Sequence, residues 1–250
     1  MLAKITKNGG KTLNWFSVDS EDTFNKILPT MPADWEYRNT KVSYSLNKQG
    51  YRTKEWNDIN WSASTLMIGC SNTLGLGIPE KDTACSILEE ELGYPFINLG
   101  VVGSSNHLIF YNSMRLLENG IKPKSVILLF SDPSRYTHFN IKDDYIIPLG
   151  HWSLKDKDLS TYYYNYSNHL NCNIHGTMMA LAAEALWKSM NVPILAYSAY
   201  PNSLEDKFKI LPERIDTARE INHPGVETNK TWADIIKKDL LSIYPSVYKL

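Results

Sequence analysis

From about residue 64 onward, short apolar runs alternate with amphipathic stretches. The run 65–68 is followed by helical periodicity over about 83–92, and the run 96–99 by a second helix over about 105–119. Residues 126–130 form an unbroken apolar run, the pattern of a strand buried on both faces. A third helix, about 177–190, leads into a strand at 194–197, and a last helix is predicted over 232–243. Parallel neighbours need a crossover, and the crossover is right-handed, so repeated strand–helix units predict a sheet covered by helices on both faces. The expected architecture is a three-layer α/β/α domain over 62–250 with a mostly parallel sheet. Residues 1–61, rich in Trp, Tyr, Asn and Lys without sustained periodicity, are predicted as an irregular N-terminal extension or cap with short strands at most.

Between the third strand and the third helix, residues 136–175 are dense in Tyr, Asn, His and Asp and include Tyr162, Tyr163 and Tyr164. Insertions of this length in a compact domain are usually functional or disordered. Tyrosines supply apolar faces and hydroxyls together, which suits an ordered lid or a surface for a polar ligand such as sugar. An inserted subdomain with its own small core fits equally well.

Composition narrows the classes. With 43% hydrophobic and 21% charged residues, the 250-residue chain reads as a soluble globular domain large enough to bury a core without staples. Lys and Arg total 26 against 27 Asp and Glu, so no global field favours nucleic acid or anionic lipid, and neither is expected as a partner. Cys70, Cys85 and Cys172 are an odd number in a chain too long for a disulfide scaffold, which fits a reducing compartment or buried thiols. Cys85 is expected to be a small apolar core residue. The first residues carry no apolar stretch of a secretion signal, and no run approaches the ~20 residues of a membrane crossing. A cytoplasmic protein is the default expectation, although a virion component or a cargo of a dedicated exporter would also lack such a signal.

In open parallel sheets ligands bind outside the carboxyl ends of the strands, so the segments that follow each strand have first claim on chemistry. These are 69–77, 100–106 and 131–135, with Glu220-Ile221-Asn222-His223-Pro224-Gly225 near the C-terminus. Ser71 leaves a buried strand among glycines that permit a tight turn, which makes it a candidate nucleophile. His223 is followed by Pro-Gly, which stiffens its loop, and is the candidate base. Glu220, three residues earlier, can reach the same imidazole, and Asp216 is a second candidate at longer reach. Backbone N–H groups of Ser71 and Gly103 are candidate donors to an oxyanion. The remaining histidines, His107, His138, His151, His169 and His175, read as surface or satisfied core residues. Cys172-x-x-His175 lacks a second ligand pair, and the glycines of 69–77 match no phosphate-binding pattern, so neither metal nor cofactor is expected.

Together these blocks resemble the SGNH hydrolases, the GDSL-type esterase and lipase superfamily, over about 65–232. Ile68-Gly69-Cys70-Ser71-Asn72-Thr73-Leu74-Gly75 looks like the block carrying the nucleophile, and Asn98-Leu99-Gly100-Val101-Val102-Gly103-Ser104 like the block whose glycine lines the oxyanion hole. Glu220 to Pro224 looks like the last block, an acid three residues before the histidine. Upstream, Asn47-Lys48-Gln49-Gly50-Tyr51-Arg52 is similar to a segment preceding the first block in many bacterial and phage members. The resemblance implies a flavodoxin-like, five-stranded sheet and a Ser71–His223–Glu220 mechanism with Ser71 and Gly103 as oxyanion donors.

Three departures stand out. Cys70 occupies a position usually held by Asp, Glu220 replaces the usual Asp, and the third block, which normally supplies an Asn donor, reads Ser131-Asp132-Pro133. An ionised Asp132 accepts hydrogen bonds and repels an oxyanion, so Ser131, Ser134, Arg135 or Asn106 would have to substitute. The expected function is hydrolysis of small acyl esters, acetate above all, on a carbohydrate or other polar substrate. The rival expectation is a binding or structural module that kept the cleft for glycan or for assembly into a larger particle.

Overall fold

A computed structural model describes residues 2, 5–140, 145–166, 169–200 and 207–248. In chain order the elements are β1 (Thr12–Leu13), α1 (Glu21–Ile27), β2 (Tyr44–Ser45), β3 (Thr65–Gly69), α2 (Ser71–Leu74), α3 (Ala84–Leu92), β4 (Phe96–Gly100), α4 (Asn106–Glu118), β5 (Ser125–Phe130), β6 (Tyr136–Asn140), β7 (Tyr145–Leu149), α5 (Lys157–Tyr166), α6 (His169–Ser189), β8 (Ile194–Ser198), β9 (Lys209–Ile210) and α7 (Val226–Ile243). Strands β4-β3-β5-β8-β9 form one parallel sheet in that order. Numbered within the sheet, this is the 2-1-3-4-5 order of flavodoxin-like folds, whose ligand crevice opens between the first and third strands.

Strand periodicity divides the core into two layers. Leu66, Ile68, Val126, Leu128 and Phe130 pack toward α4 and α6, against Leu108, Ile109, Leu116, Ala183 and Trp187. Met67, Ile127, Leu129, Leu195 and Tyr197 face the other way, toward Cys85 and Leu88 of α3 and Trp232, Ile236 and Leu240 of α7. Cys85 is a buried core residue, as expected. The apolar runs of β3 and β5 follow directly: each side chain, whichever way it points, meets a helix.

The ends of β3 and β4 are set by close approach. Gly69 and Gly100 are paired in register, and a Cβ on Gly100 would lie 2.2 Å from the Leu74 nitrogen, while one on Gly69 would lie 2.1 Å from Thr73 Oγ1. Only hydrogen at both positions lets the short helix α2 lie across the sheet edge. Asn98, buried on β4, donates through Nδ2 to the Thr73 carbonyl at 2.8 Å and accepts from the Gly100 N–H at 2.9 Å, holding α2 in place.

Several boundaries differ from the sequence reading. The last helix starts at Val226, because the Asp216 carboxylate caps its exposed first-turn N–H groups from outside the helix. Helix α6 starts at His169 and passes through Gly176, which packs on Pro133; a Cβ there would come 2.5 Å from the Pro133 carbonyl oxygen. The fifth strand, only two residues long, carries no periodic signal. The 136–175 insertion is ordered over its described residues: an antiparallel hairpin β6–β7, a 3₁₀ turn at His151–Lys155, α5 and the start of α6, with Ile146, Leu149, Tyr163 and Cys172 buried. Residues 141–144 and 167–168 of that prediction, and the side chains of Tyr162 and His169, lie outside the described set.

The N-terminal residues are integral to the body. Tyr37, Val42, Tyr44 and Leu46 share a core cluster with Leu74, Leu76 and Ile78, the residues that follow Ser71. Arg52 is 1% exposed; its Nη1 donates to the Leu74 and Gly75 carbonyls and its Nη2 to those of Ser43 and Ile78, which closes the C-terminal end of α2. Arg52→Ala removes donors from buried carbonyls and leaves a cavity, so it should lower unfolding free energy by about 3 kcal/mol or more. Urea denaturation at neutral pH measures it.

Candidate active site

Ser71 is the first residue of α2, directly beyond β3. Its side chain is 2% exposed and its Oγ lies 2.9 Å from His223 Nε2. The other ring nitrogen, Nδ1, lies 2.8 Å from Glu220 Oε1. A carboxylate on Nδ1 fixes the proton there, which leaves Nε2 free to accept from the serine hydroxyl. The imidazole is the solvent-facing member, 17% exposed, whereas the Glu220 side chain is 1% exposed.

A tight loop brings acid and imidazole together. The Ala218 N–H donates to the His223 carbonyl at 2.8 Å and the Ile221 N–H to the Ala218 carbonyl at 2.8 Å. Ile221 takes φ of +64°, a left-handed conformation costly for a β-branched residue. That turn folds the chain back so that Glu220 receives the ring and backbone N–H of His223 on Oε1 and the Asn222 N–H on Oε2, at 2.8, 2.9 and 3.1 Å. Burial alone would raise the Glu220 pKa, but these hydrogen bonds and the imidazole beside it hold the carboxyl below its ordinary value.

The loop is moored to the N-terminal segment. Arg219, next to Glu220, donates from Nε and Nη2 to the two oxygens of Asp19 at 2.9 and 2.6 Å, and from Nη2 to the Asn14 carbonyl at 2.9 Å. Its guanidinium lies 3.9 Å from the centroid of the Trp15 ring. Tyr44 donates to Asp19 and accepts from the Gly77 N–H at 2.8 Å, while the Arg219 N–H donates to the Gly77 carbonyl at 3.0 Å. Asp19, Tyr44, Gly77 and Arg219 thus close a ring between the segment after Ser71 and the loop of His223.

Gly103 takes φ of +71° and its N–H has no acceptor among the described residues; the Ser71 N–H, at the first position of α2, has no intrahelical acceptor. The insertion roofs this corner. A Cβ on Gly103 would meet Pro148 at 2.9 Å and the Trp152 ring at 3.2 Å. Cavities of about 190 and 330 Å³ lie elsewhere, one lined by Trp56, Trp61 and Arg115, the other by Arg52, Glu80 and Glu89.

No family model matches the sequence, and no curated protein does. Among solved structures the chain is similar to an acetyl xylan esterase from the rumen bacterium Butyrivibrio proteoclasticus, at 11% identity and a TM-score of 0.46, covering 72% of this chain and 64% of that one. It is similar to a family two carbohydrate esterase from Clostridium thermocellum, at 10% identity and TM-score 0.45, covering 72% of this chain and 63% of that one. A member of the lipolytic protein G-D-S-L family from Veillonella parvula matches at 15% identity and TM-score 0.40, over 73% of this chain and 98% of that one. The matched region spans less than two thirds of the two carbohydrate esterases. With TM-scores below 0.5 these overlaps carry no weight for chemistry, which rests on the side chains.

The structure therefore brings Ser71, His223, Glu220 and Gly103 to one sheet edge. It separates the others. Asp216 is not an orienter of the imidazole: its oxygens take the Glu227 and Thr228 N–H groups and the Thr228 hydroxyl. Asn106, 1% exposed, is no replacement donor, because its Nδ2 serves the Ser131 and Gly176 carbonyls and its Oδ1 takes the Ser131 N–H. Asp132 accepts the Ser134 N–H at 2.8 Å, a local turn. Arg135 donates to Tyr200. Among the described residues no cluster of His, Cys, Asp and Glu could hold a metal ion. His107 packs edge-on to Tyr136, and burial together with His175 pushes its pKa down to about 4. Asp19, Tyr44 and Arg219 were missed by sequence reasoning: the ion pair joins positions 200 residues apart and neither end shows a local pattern.

Two outcomes follow. Asp19→Asn leaves the buried Arg219 charge without its counter-ion and should lower stability by about 3 kcal/mol in urea denaturation. For Glu220 the folded pKa is depressed, so its ionised form stabilises the native state above the ordinary value of 4.5, and that contribution is lost as pH falls through the lowered folded value. The stability deficit of Glu220→Gln relative to wild type should be constant near neutrality and shrink on acidification below 4.5.

Proposed function

We propose that this protein is a serine esterase of the SGNH type that removes small acyl groups, acetate above all, from a carbohydrate or other polar alcohol. The observation that carries the reading is the continuous hydrogen-bonded chain from Glu220 through His223 to Ser71, assembled from positions 152 residues apart at the carboxyl edge of a parallel sheet. Ser71 Oγ attacks the acyl carbonyl while His223 Nε2 takes its proton. Glu220 stabilises the imidazolium that forms. The N–H groups of Ser71 and Gly103 receive the oxyanion. Collapse expels the alcohol, which takes the proton back from Nε2, and a water activated by the same nitrogen then releases the acid and frees Ser71.

The partly exposed polar residues that follow β5, Asp132, Ser134 and Arg135, favour a polar substrate. Trp152 and Pro148 cover Gly103, which leaves little room for a long acyl chain there. With Ser71 only 2% exposed, the acyl group must pass close to the His223 ring.

Hydrolysis of p-nitrophenyl acetate and of an acetylated glycan tests the reading. Ser71→Ala and His223→Ala should each lose about 10³-fold or more in kcat, with the fold retained. A fluorophosphonate probe should label Ser71, as read from the modified peptide by mass spectrometry. Turnover that survives Ser71→Ala on both esters would overturn the assignment and favour a binding or structural role for the cleft.

A further inference from the structure

Beyond β5 the chain runs through Asp132, Pro133 and Ser134 to Arg135, whose guanidinium sits between two aromatic rings. Its carbon lies 5.4 Å from the Trp152 ring centroid and 5.1 Å from that of Tyr200. Nη2 donates to the Tyr200 hydroxyl at 2.9 Å. Trp152 is the ring that packs over Gly103, and Arg135 follows β5, the parallel neighbour of the β3 strand that leads to Ser71. Arg135 therefore shares the sheet edge and the roof of the catalytic corner.

Asp132 acts on this charge electrostatically without coming within ion-pair distance of it. No carboxylate of the described residues forms an ion pair with it, and Nη1 is buried without a hydrogen-bond partner. The nearest acid in sequence, Asp132, turns one oxygen to the Ser134 N–H. Burial pushes the Tyr200 pKa up to about 12, so the hydroxyl that accepts from Nη2 keeps its own hydrogen to donate. A guanidinium packed beside two aromatic rings, with one nitrogen lacking an acceptor and a phenol alongside, has the form of a receptor for a planar anion.

We propose that Arg135 and Tyr200, with Trp152 as a stacking wall, bind a carboxylate carried by the substrate, so that the ester cleaved at Ser71 belongs to an acidic sugar or a comparable hydroxy acid. The proposal rests on the esterase reading for the place of the ester, but not for binding of the acid. The competing occupant of the arginine is the tetrahedral oxyanion. The pairing of a guanidinium nitrogen with the Tyr200 hydroxyl favours the carboxylate, because a planar acid group can take two donors at once, whereas an oxyanion asks only for a single convergent donor.

The test uses Ser71→Ala protein, which binds without turnover, and two probes: an O-acetylated galacturonic acid oligomer and its methyl-esterified, neutral counterpart. Calorimetry should show the acid form bound about 10- to 100-fold more tightly, a preference that Arg135→Gln removes and Arg135→Lys partly restores. In the active protein the ratio of kcat/KM for the two probes should fall by a similar factor in Arg135→Gln, with the change carried by KM. Equal binding of both probes to Ser71→Ala, or no measurable binding of either, overturns the anion site and leaves the esterase reading intact. A loss of kcat that is the same on both probes assigns the arginine to the oxyanion and also overturns the proposal. Acid preference in binding without Ser71-dependent turnover supports the anion site and strikes only the esterase reading. Should Arg135→Gln fail to fold, the comparison of probes on the Ser71→Ala chain and the Arg135→Lys variant decide.

Discussion

A carboxylate buried to 1% exposure is tolerable only if hydrogen-bond donors surround it, and the arrangement around Ser71 follows from meeting that demand for Glu220. The donors come from the two residues just beyond it: the Asn222 N–H, and the N–H and ring of His223. Bringing them within reach requires a reversal of the chain in a single step, which is why Ile221 is held at positive φ although its side chain resists it. One Glu220 oxygen takes both donors of His223 while the other takes the Asn222 N–H.

Such a loop is strained and needs outside support. That support comes from the N-terminal segment, through Asp19 on Arg219 and Tyr44 on Gly77, and from the opposite side through Arg52 on the carbonyls that close α2. The Asp19 and Arg52 contacts are buried and charge-assisted, the class whose removal leaves an uncompensated group rather than merely a missing bond. The N-terminal residues therefore hold the serine's turn and the imidazole's loop to one another.

What was legible in the sequence was what short-range patterning encodes. The alternation of β3 and β5 between two helical layers, the glycines at the ends of β3 and β4, and the Glu-x-x-His spacing all act within a few residues, so the sheet, the serine turn and the acid–imidazole pair could be read. The start of α7 could not, because its cap is supplied by Asp216 from a separate loop, and the polar residues of its first turns have no apolar stripe. The start of α6 was hidden for a related reason: Gly176 looks like a breaker but is demanded by Pro133 packing against it. The Asp19–Arg219 pair lies between segments with no periodicity at all.

Asn106 shows how a residue of suitable chemistry can be excluded by position. Its amide stitches the end of β5 to α6 by matching the Ser131 N–H and carbonyl together with the Gly176 carbonyl, leaving no donor for an oxyanion. In the proposed reading the oxyanion would have only the N–H groups of Ser71 and Gly103, and loss of one oxyanion donor typically costs about 2.7 to 4 kcal/mol of transition-state stabilisation. An enzyme short of a donor at the reacting carbon can recover rate by fixing the substrate more firmly at a distance from it, because binding energy realised away from the chemistry can be used to position the ester. Under the proposed esterase reading, Arg135 with its unpartnered Nη1 would do that for an anionic substrate, and a neutral model ester would have only the two backbone donors to work with.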